Sequence, residues 1–177
     1  MYYLLKSIAL SKFNLNNFPY KINFAITYRC NSECKTCNIW KLTPQDELNT
    51  KEIDLFFKKN QFIWINLVGG EIFLRPDIED IFQIILQTQN RLALINLSTN
   101  GFFSDKIFNT VSTFAKSFNG NMVITLSVDN YGKKNDELRG LPNNWNNLIK
   151  TYNLIKKIDN IRIFFGTTLS QYNYKDV

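Results

Sequence analysis

Short apolar segments alternate with amphipathic segments of helical period along almost the whole chain, and this alternation restricts the fold more than any other feature. Strands are predicted in the segments KINFAITY, QFIWINLVGG, RLALINLSTNG, NMVITLSVDN and IRIFFGTTLS, which are rich in β-branched or aromatic residues. Strands and helices at this spacing indicate βαβ units and one parallel sheet of the α/β class. Because the strands are nearly continuous in apolar residues, we expect both faces of the sheet to be covered.

Four helices are predicted between the strands, because apolar residues there repeat at helical spacing. Asn49 and Glu52 form a capping-box pattern before the first helix, and Ser104 is expected to cap the third. The last helix places five residues on one face: Trp145, Leu148, Ile149, Tyr152 and Ile155. The polar stretch before this helix is predicted as a loop. No linker interrupts the pattern, so we expect an N-terminal segment, 1–20, and one domain, 21–177.

The overall composition excludes several kinds of site. Histidine is absent from the 177 residues, so histidine-based zinc sites, histidine-dependent triads and imidazole bases are excluded. The net charge of +6 comes from lysine and arginine residues that form no long run, which does not indicate a nucleic-acid partner. No segment approaches the roughly 18 apolar residues that a membrane span requires. We therefore expect a cytoplasmic protein with neither a nucleic-acid nor a membrane partner.

All three cysteines lie in the single segment TYRCNSECKTCNIW, as Cys30, Cys34 and Cys37. Thiols this close together in a reducing compartment indicate metal binding before disulfide formation, so their sulfurs are expected to face a common centre. Three protein ligands leave one coordination position for another group. A zinc ion with an outside ligand is one interpretation, and an iron–sulfur cluster is the other.

Polar or small residues follow the C-terminal end of every predicted strand. They are Cys30, Gly69 to Glu71, Ser98 to Gly101, Ser127 with Asp129, and Thr168. The C-terminal ends of parallel strands meet at one edge of the sheet, which is where α/β folds build their functional sites. We therefore expect these residues to lie at one end of one parallel sheet.

The order of these motifs resembles that of radical S-adenosylmethionine (SAM) enzymes. The pattern C-x3-C-x2-C of Cys30, Cys34 and Cys37 is followed by GGE, STNG and SVDN after the next three strands, and the likeness extends from about Ile22 to Asn173. The resemblance implies a partial (β/α) barrel of parallel strands, with about five strands of the usual six. It also implies that residues 21–177 form the core domain, in which the cysteines hold one [4Fe-4S] cluster and SAM binds the iron that has no protein ligand.

A reaction follows from the same resemblance. An electron donor such as flavodoxin or ferredoxin would reduce the cluster, and reductive cleavage of SAM would give a 5′-deoxyadenosyl radical that abstracts hydrogen from a substrate. The substrate is a peptide or a small metabolite that the sequence does not identify, and no catalytic side chain is indicated. The alternative is a non-catalytic or truncated protein that binds an iron–sulfur cluster without turnover.

The resemblance assigns SAM contacts to residues at the ends of the second and fourth strands. Gly69 and Gly70 are expected to let the backbone approach the SAM amino group, and Glu71 resembles the acidic residue of that motif. An ordinary strand-to-loop turn is the other interpretation. Ser127 resembles the polar residue that meets SAM after the fourth strand, with Asp129 beside it, and turn capping is the alternative.

Three further residues complete the predicted cofactor site. Asn100 belongs to the motif after the third strand, where Asn-Gly also suits a tight turn. Arg139 is expected to reach the SAM carboxylate or a substrate anion, unless it is a solvated loop arginine. Thr36 precedes the third cysteine, where the family often has an aromatic residue whose backbone meets the adenine.

The segment that would form a sixth strand is not found in this sequence, so the chain is expected to be incomplete at its C-terminal end. The fifth strand, RIFFGTTL, would then be an exposed apolar edge. Such an edge pairs readily with other chains, and we expect it to favour self-association.

Overall fold

The computed structural model describes residues 2–13 and 19–176. The helices are α1 (Tyr2–Lys12), α2 (Thr50–Lys59), α3 (Ile78–Thr88), α4 (Ser104–Ser117), α5 (Gly132–Arg139) and α6 (Asn144–Ile155). The strands are β1 (Lys21–Thr27), β2 (Trp64–Gly69), β3 (Leu94–Thr99), β4 (Asn121–Ser127) and β5 (Ile161–Gly166). Short 3-10 turns occupy Ile39–Lys41 and Ile72–Leu74. None of the described helices is both long and apolar enough to span a bilayer.

The five strands form one parallel sheet in the order β1-β2-β3-β4-β5, which confirms the predicted α/β class. Each strand is joined to the next through at least one helix, as in a βαβ unit. The strands β1 and β5 are the two edges of the sheet. The sheet is therefore the open, partial barrel that the sequence predicts.

The prediction that both faces of the sheet are covered is wrong. Side chains alternate along each strand, so Ile65, Leu67, Ile95 and Leu97 are fully buried on one face. The opposite face carries half-exposed side chains, including a row of three asparagines at matched register positions: Asn23, Asn66 and Asn96. The amide of Asn66 donates to Asn23 and that of Asn96 donates to Asn66, at 3.0 and 2.7 Å. The strands therefore supply one core face and one partly exposed face that carries this row of asparagines.

The helices fit the predicted positions with two corrections. The capping box before α2 is confirmed, because Asn49 accepts from the Glu52 amide and Glu52 accepts from the Asn49 amide. Ser104, however, is not a cap: it is the first residue of α4, and its hydroxyl donates to the Asn147 carbonyl at 2.9 Å. The stretch predicted as a loop before α6 contains the helix α5, which ends at Arg139 and is capped by Gly140 in the left-handed conformation (φ 57°).

Candidate functional site

One cavity of about 200 Å³ opens at the C-terminal ends of the strands, as the sequence predicts. All eleven predicted ligand or cofactor residues line it: Cys30, Thr36, Cys34, Cys37, Gly69, Gly70, Glu71, Asn100, Ser127, Asp129 and Arg139. Thr168, which follows β5, lines it as well. Residues from all five strand ends therefore meet around one space, although they are spread over most of the chain.

The cysteine loop is anchored on two sides. The amide of Glu71 donates to the Arg29 carbonyl at 2.8 Å, and the amide of Lys35 donates to the Leu138 carbonyl at 2.9 Å. A Cβ at Gly140 would lie 2.5 Å from the Glu33 carbonyl oxygen, so only glycine allows the end of α5 to approach the loop this closely. The glycine turn after β2 and the end of α5 therefore fix the loop between them.

The three thiols differ in exposure and in hydrogen bonding. Cys30 and Cys34 are half-buried, whereas Cys37 is exposed. Backbone amides donate to two of the sulfurs, from Ser32 to Cys30 and from Ile39 to Cys37, each at 3.5 Å. Burial raises the pKa of the Cys30 and Cys34 thiols above the ordinary value. A metal would therefore have to displace protons from both of these thiols as it binds.

The donor set fits a cluster better than a single ion. A zinc ion needs its thiolates at about 2.3 Å from one centre. Across the described residues, no three side chains of the metal-binding types form a site for a single metal ion. A cubane cluster takes each thiolate on a different iron and so needs a wider triangle of sulfurs around a cavity. Three thiols on one cavity wall, with amide donors to two sulfurs, meet that need.

Gly69 and Gly70 make the turn after β2 possible through contact with the protein's own backbone. A Cβ at Gly69 would lie 2.0 Å from the Thr27 carbonyl oxygen, and one at Gly70 would lie 2.1 Å from that of Arg29. The amide of Gly70 also donates to Thr27 at 2.9 Å. The close approach that these glycines allow within the chain is to β1 and the start of the cysteine loop, and the approach to the SAM amino group stays a prediction.

Glu71 is buried, with 1% of its surface exposed, and its carboxylate is fully engaged. One oxygen accepts from the Thr99 hydroxyl at 2.8 Å and from the backbone N–H of Phe73 at 3.2 Å. The other oxygen accepts from the backbone N–H of Asn100 at 2.7 Å. Burial raises the pKa of Glu71, although these three donors oppose that shift. The carboxylate therefore joins the ends of β2 and β3.

Asp129 and Arg139 form an ion pair at the cavity, which corrects the interpretation of Arg139 as a solvated loop residue. The guanidinium donates to the Asp129 carboxylate at 2.9 Å, and 12% of the Arg139 side chain and 6% of the Asp129 side chain are exposed. The second Asp129 oxygen accepts from the Thr168 amide at 3.0 Å. The Arg139 Nε atom is buried and has no hydrogen-bond partner among the described residues.

The remaining predicted residues occupy different parts of the wall. Asn100 is buried, and its side-chain NH2 donates to the Asn31 side chain at 2.8 Å and to the Ser32 hydroxyl at 2.9 Å in the cysteine loop. Ser127 is half-buried at the end of β4, in register with Gly166 of β5. Thr36 is exposed beside the thiols. Asn100 is thus more than a turn residue, because it ties β3 to the cysteine loop.

Sequence reasoning missed three buried asparagines behind the cavity. Asn135 and Asn144 are fully buried in α5 and α6, and Asn173, 1% exposed, donates to the carbonyls of Asp129 and Thr168 at 2.9 and 3.0 Å. The available signal was weak: asparagine is a poor helix former, so one within a helix invites a search for a partner.

No family model matches the chain. The protein described as antilisterial bacteriocin subtilosin biosynthesis protein AlbA, from Bacillus subtilis (strain 168), is 26% identical over 149 residues, which are 79% of this chain and 32% of that protein. Molybdenum cofactor biosynthesis protein 1 from Bos taurus is 36% identical over 87 residues, 45% of this chain and 14% of that protein. The chain thus spans about a third or less of the length of these curated relatives.

Solved structures share the fold. Streptococcus suis SuiB bound to S-adenosylmethionine has a TM-score of 0.68 at 20% identity, covering 96% of this chain and 39% of SuiB. SuiB bound to its precursor peptide SuiA has a TM-score of 0.64 with the same identity, covering 96% of this chain and 38% of SuiB.

Proposed function

We propose that this chain is a radical SAM protein that holds one [4Fe-4S] cluster through Cys30, Cys34 and Cys37 and binds SAM in the adjoining cavity. The observation that carries the proposal is that the three thiols, the glycine turn and an arginine line the same cavity. When bound, the reduced cluster would supply the electron that cleaves SAM to a 5′-deoxyadenosyl radical, which abstracts hydrogen from the substrate.

The protein's own groups would bind and orient SAM. The backbone amides of Gly70 and Glu71 are already bonded, to Thr27 and Arg29 respectively, so the carbonyl oxygens of this turn are proposed to accept from the SAM amino group. Arg139 lines the cavity and carries a positive charge, which suits the SAM carboxylate. Ser127 adds a hydroxyl on the same wall.

Glu71, Asn100 and Asp129 support this site indirectly. Their polar groups are already bound to protein partners, at 2.7 to 3.2 Å, and so they hold the binding groups in place. Thr36 lacks the aromatic ring that stacks on a base, and only its backbone is proposed to meet the adenine.

A peptide is the proposed substrate class, in preference to a small metabolite. SuiB binds a precursor peptide, and AlbA is a bacteriocin biosynthesis protein, which supports this choice.

The proposal includes a flavodoxin or ferredoxin as electron donor, a cytoplasmic location, and a core domain at 21–177 after the segment 1–20. Phe164 and Phe165 of the edge strand β5 are 56% and 54% exposed, which supports self-association through that edge.

Anaerobic reconstitution with iron and sulfide tests the cofactor proposal. The protein is expected to bind about four irons and four sulfides, to turn brown, and to give an electron paramagnetic resonance signal that changes when SAM is added. Chromatography after dithionite reduction then measures 5′-deoxyadenosine. A cluster that forms while SAM fails to bind would replace the proposal with the non-catalytic alternative, and stoichiometric zinc without a cluster would refute both.

A further inference from the structure

Three buried asparagines connect the cysteine loop to the Asp129–Arg139 ion pair. We call Asn100, Asn144 and Asn135 the asparagine relay. The side-chain NH2 of Asn135 donates to the side-chain oxygen of Asn144 at 3.0 Å, and the side-chain NH2 of Asn144 donates to the backbone carbonyl of Asn100 at 2.8 Å. The members of the relay are 0 to 3% exposed. Its links come from the end of β3 and from two helices, so the path crosses three separate elements.

Both ends of the relay are bound to the candidate site. At one end the Asn100 side chain donates to Asn31 and Ser32 of the cysteine loop, at 2.8 and 2.9 Å. At the other end the Asn135 side-chain oxygen accepts from the Asp129 amide at 3.0 Å. Arg139 is paired with the Asp129 carboxylate, so the relay reaches the cation that is proposed to bind SAM.

The direction of every bond in the relay is determined by its ends. The Asp129 amide can only donate, so the group of Asn135 that faces it must be the oxygen. The Asn100 carbonyl can only accept, so the group of Asn144 that faces it must be the NH2. The two amides between these ends have one arrangement that satisfies all partners. A side chain that lacks either the donor or the acceptor therefore breaks the connection.

We propose that Asn135 and Asn144 are positioning residues that fix Arg139 at a set distance from the cysteine loop. Arg139 would then bind the carboxylate of SAM while SAM lies beside the cluster. This inference rests on the proposed function, because it assigns Arg139 to SAM. Neither asparagine lines the cavity, so both act through Asp129 and Asn100. The consequence is that SAM affinity depends on a bond between two helices behind the site.

Asn144→Asp, assayed at a pH where the new carboxyl group is ionised, is the main test, because the carboxylate keeps the shape and the acceptor but has no donor for the Asn100 carbonyl. Asn144→Ala removes both bonds, and Asn146→Asp is the matched control, since Asn146 is exposed on the same helix. In reconstituted protein, Asn144→Asp is expected to retain its iron and its circular dichroism but to bind SAM about tenfold more weakly by calorimetry. The control is expected to match the wild type.

A double-mutant cycle separates positioning from general loosening. Arg139→Gln is expected to weaken SAM binding, and adding Asn144→Asp to it should weaken binding no further, because the relay acts through the arginine. Additive losses in the double variant would overturn the positioning role, and so would an unchanged SAM affinity in Asn144→Asp. If Arg139→Gln leaves SAM affinity unchanged, the assignment of Arg139 in the proposed function fails.

Hydrogen exchange gives a readout that needs neither cluster nor SAM. In the metal-free protein, Asn144→Asp is expected to speed exchange of the Asp129 amide, two links away along the relay, while Asn146→Asp leaves it unchanged. Unchanged exchange at Asp129 would show that the relay transmits nothing and would overturn the inference. If the wild type binds no SAM but this exchange effect is present, the proposed function is refuted while the mechanical coupling stands.

Discussion

Replacing Glu71 with glutamine tests whether the buried carboxylate holds the site together. Two effects oppose each other: the neutral side chain avoids the cost of burying a charge, but one oxygen becomes an NH2 group. If that NH2 faces Asn100, two donors meet in place of a bond of 2.7 Å. If it faces Thr99, the hydroxyl can accept, but the Phe73 amide, now bonded at 3.2 Å, loses its acceptor.

The smaller of these losses decides the size of the effect. A buried amide without a partner costs about 1–3 kcal/mol, and the bond to Asn100 is also weakened because its acceptor is no longer charged. We therefore expect Glu71→Gln to lower the free energy of unfolding by about 1–3 kcal/mol. Because Asn100 also binds the cysteine loop, iron retention during reconstitution should fall as well.

Urea unfolding of the metal-free protein, followed by circular dichroism, measures this change, with Glu137→Gln as the control. Glu137 is exposed on α5, and its replacement is expected to change stability by less than about 0.5 kcal/mol. If Glu71→Gln is neutral or stabilising, burial of the charge outweighs its three hydrogen bonds. The Glu71 carboxylate would then not stabilise the fold by joining the ends of β2 and β3.

Three further outcomes are expected. Cys34→Ala should reduce bound iron from about four atoms to near zero on reconstitution, measured by metal analysis, and full iron content would refute the ligand assignment. Gly70→Ala should destabilise the fold by about 2–4 kcal/mol in the same urea assay, because the new Cβ would lie 2.1 Å from a carbonyl oxygen. The control is Gly132→Ala, which adds a Cβ in open space and should cost about 1 kcal/mol because Gly132 has a positive φ. The hydrogen bonds from Arg75 hold the pKa of Asp77 below its ordinary value of about 3.9. The ionised Asp77 therefore stabilises the fold above that pH, and this stabilisation is lost as the pH falls through the lower folded pKa. Asp77→Asn should flatten this part of the acid unfolding profile, and an unchanged profile would contradict the prediction.

The positions of the strands and the location of the site could be predicted from the sequence. Apolar strand segments are distinct from polar turns, and the ends of parallel strands share one edge, so residues as distant as Cys30 and Thr168 could be assigned to one rim. The helix α5 could not be predicted, because GKKNDELR has almost no apolar periodicity. The side chains that α5 buries are Asn135 and Leu138, and Leu138 alone of these two is apolar.

The roles of individual polar residues were harder to predict. Glu71 and Asp129 look like ligand residues in the sequence, but their partners lie 28 residues away at Thr99 and 39 residues away at Thr168. Such pairing depends on tertiary approach that no local pattern encodes. Asparagine is also abundant on the surface of this chain, so composition alone does not distinguish a buried Asn144 from an exposed Asn146.

The strand order of the sheet has a consequence for biosynthesis. Sheet neighbours are close in the chain: Asn23 and Asn66 are 43 residues apart, and Asn66 and Asn96 are 30 residues apart. A ribosome releases residues from the N-terminus onward, so each new strand emerges when its only earlier neighbour is already available. We expect the sheet to grow strand by strand during translation. The glycine turn would join the start of the cysteine loop first, and the arginine side of the cavity would form only after β4 and α5 have left the tunnel.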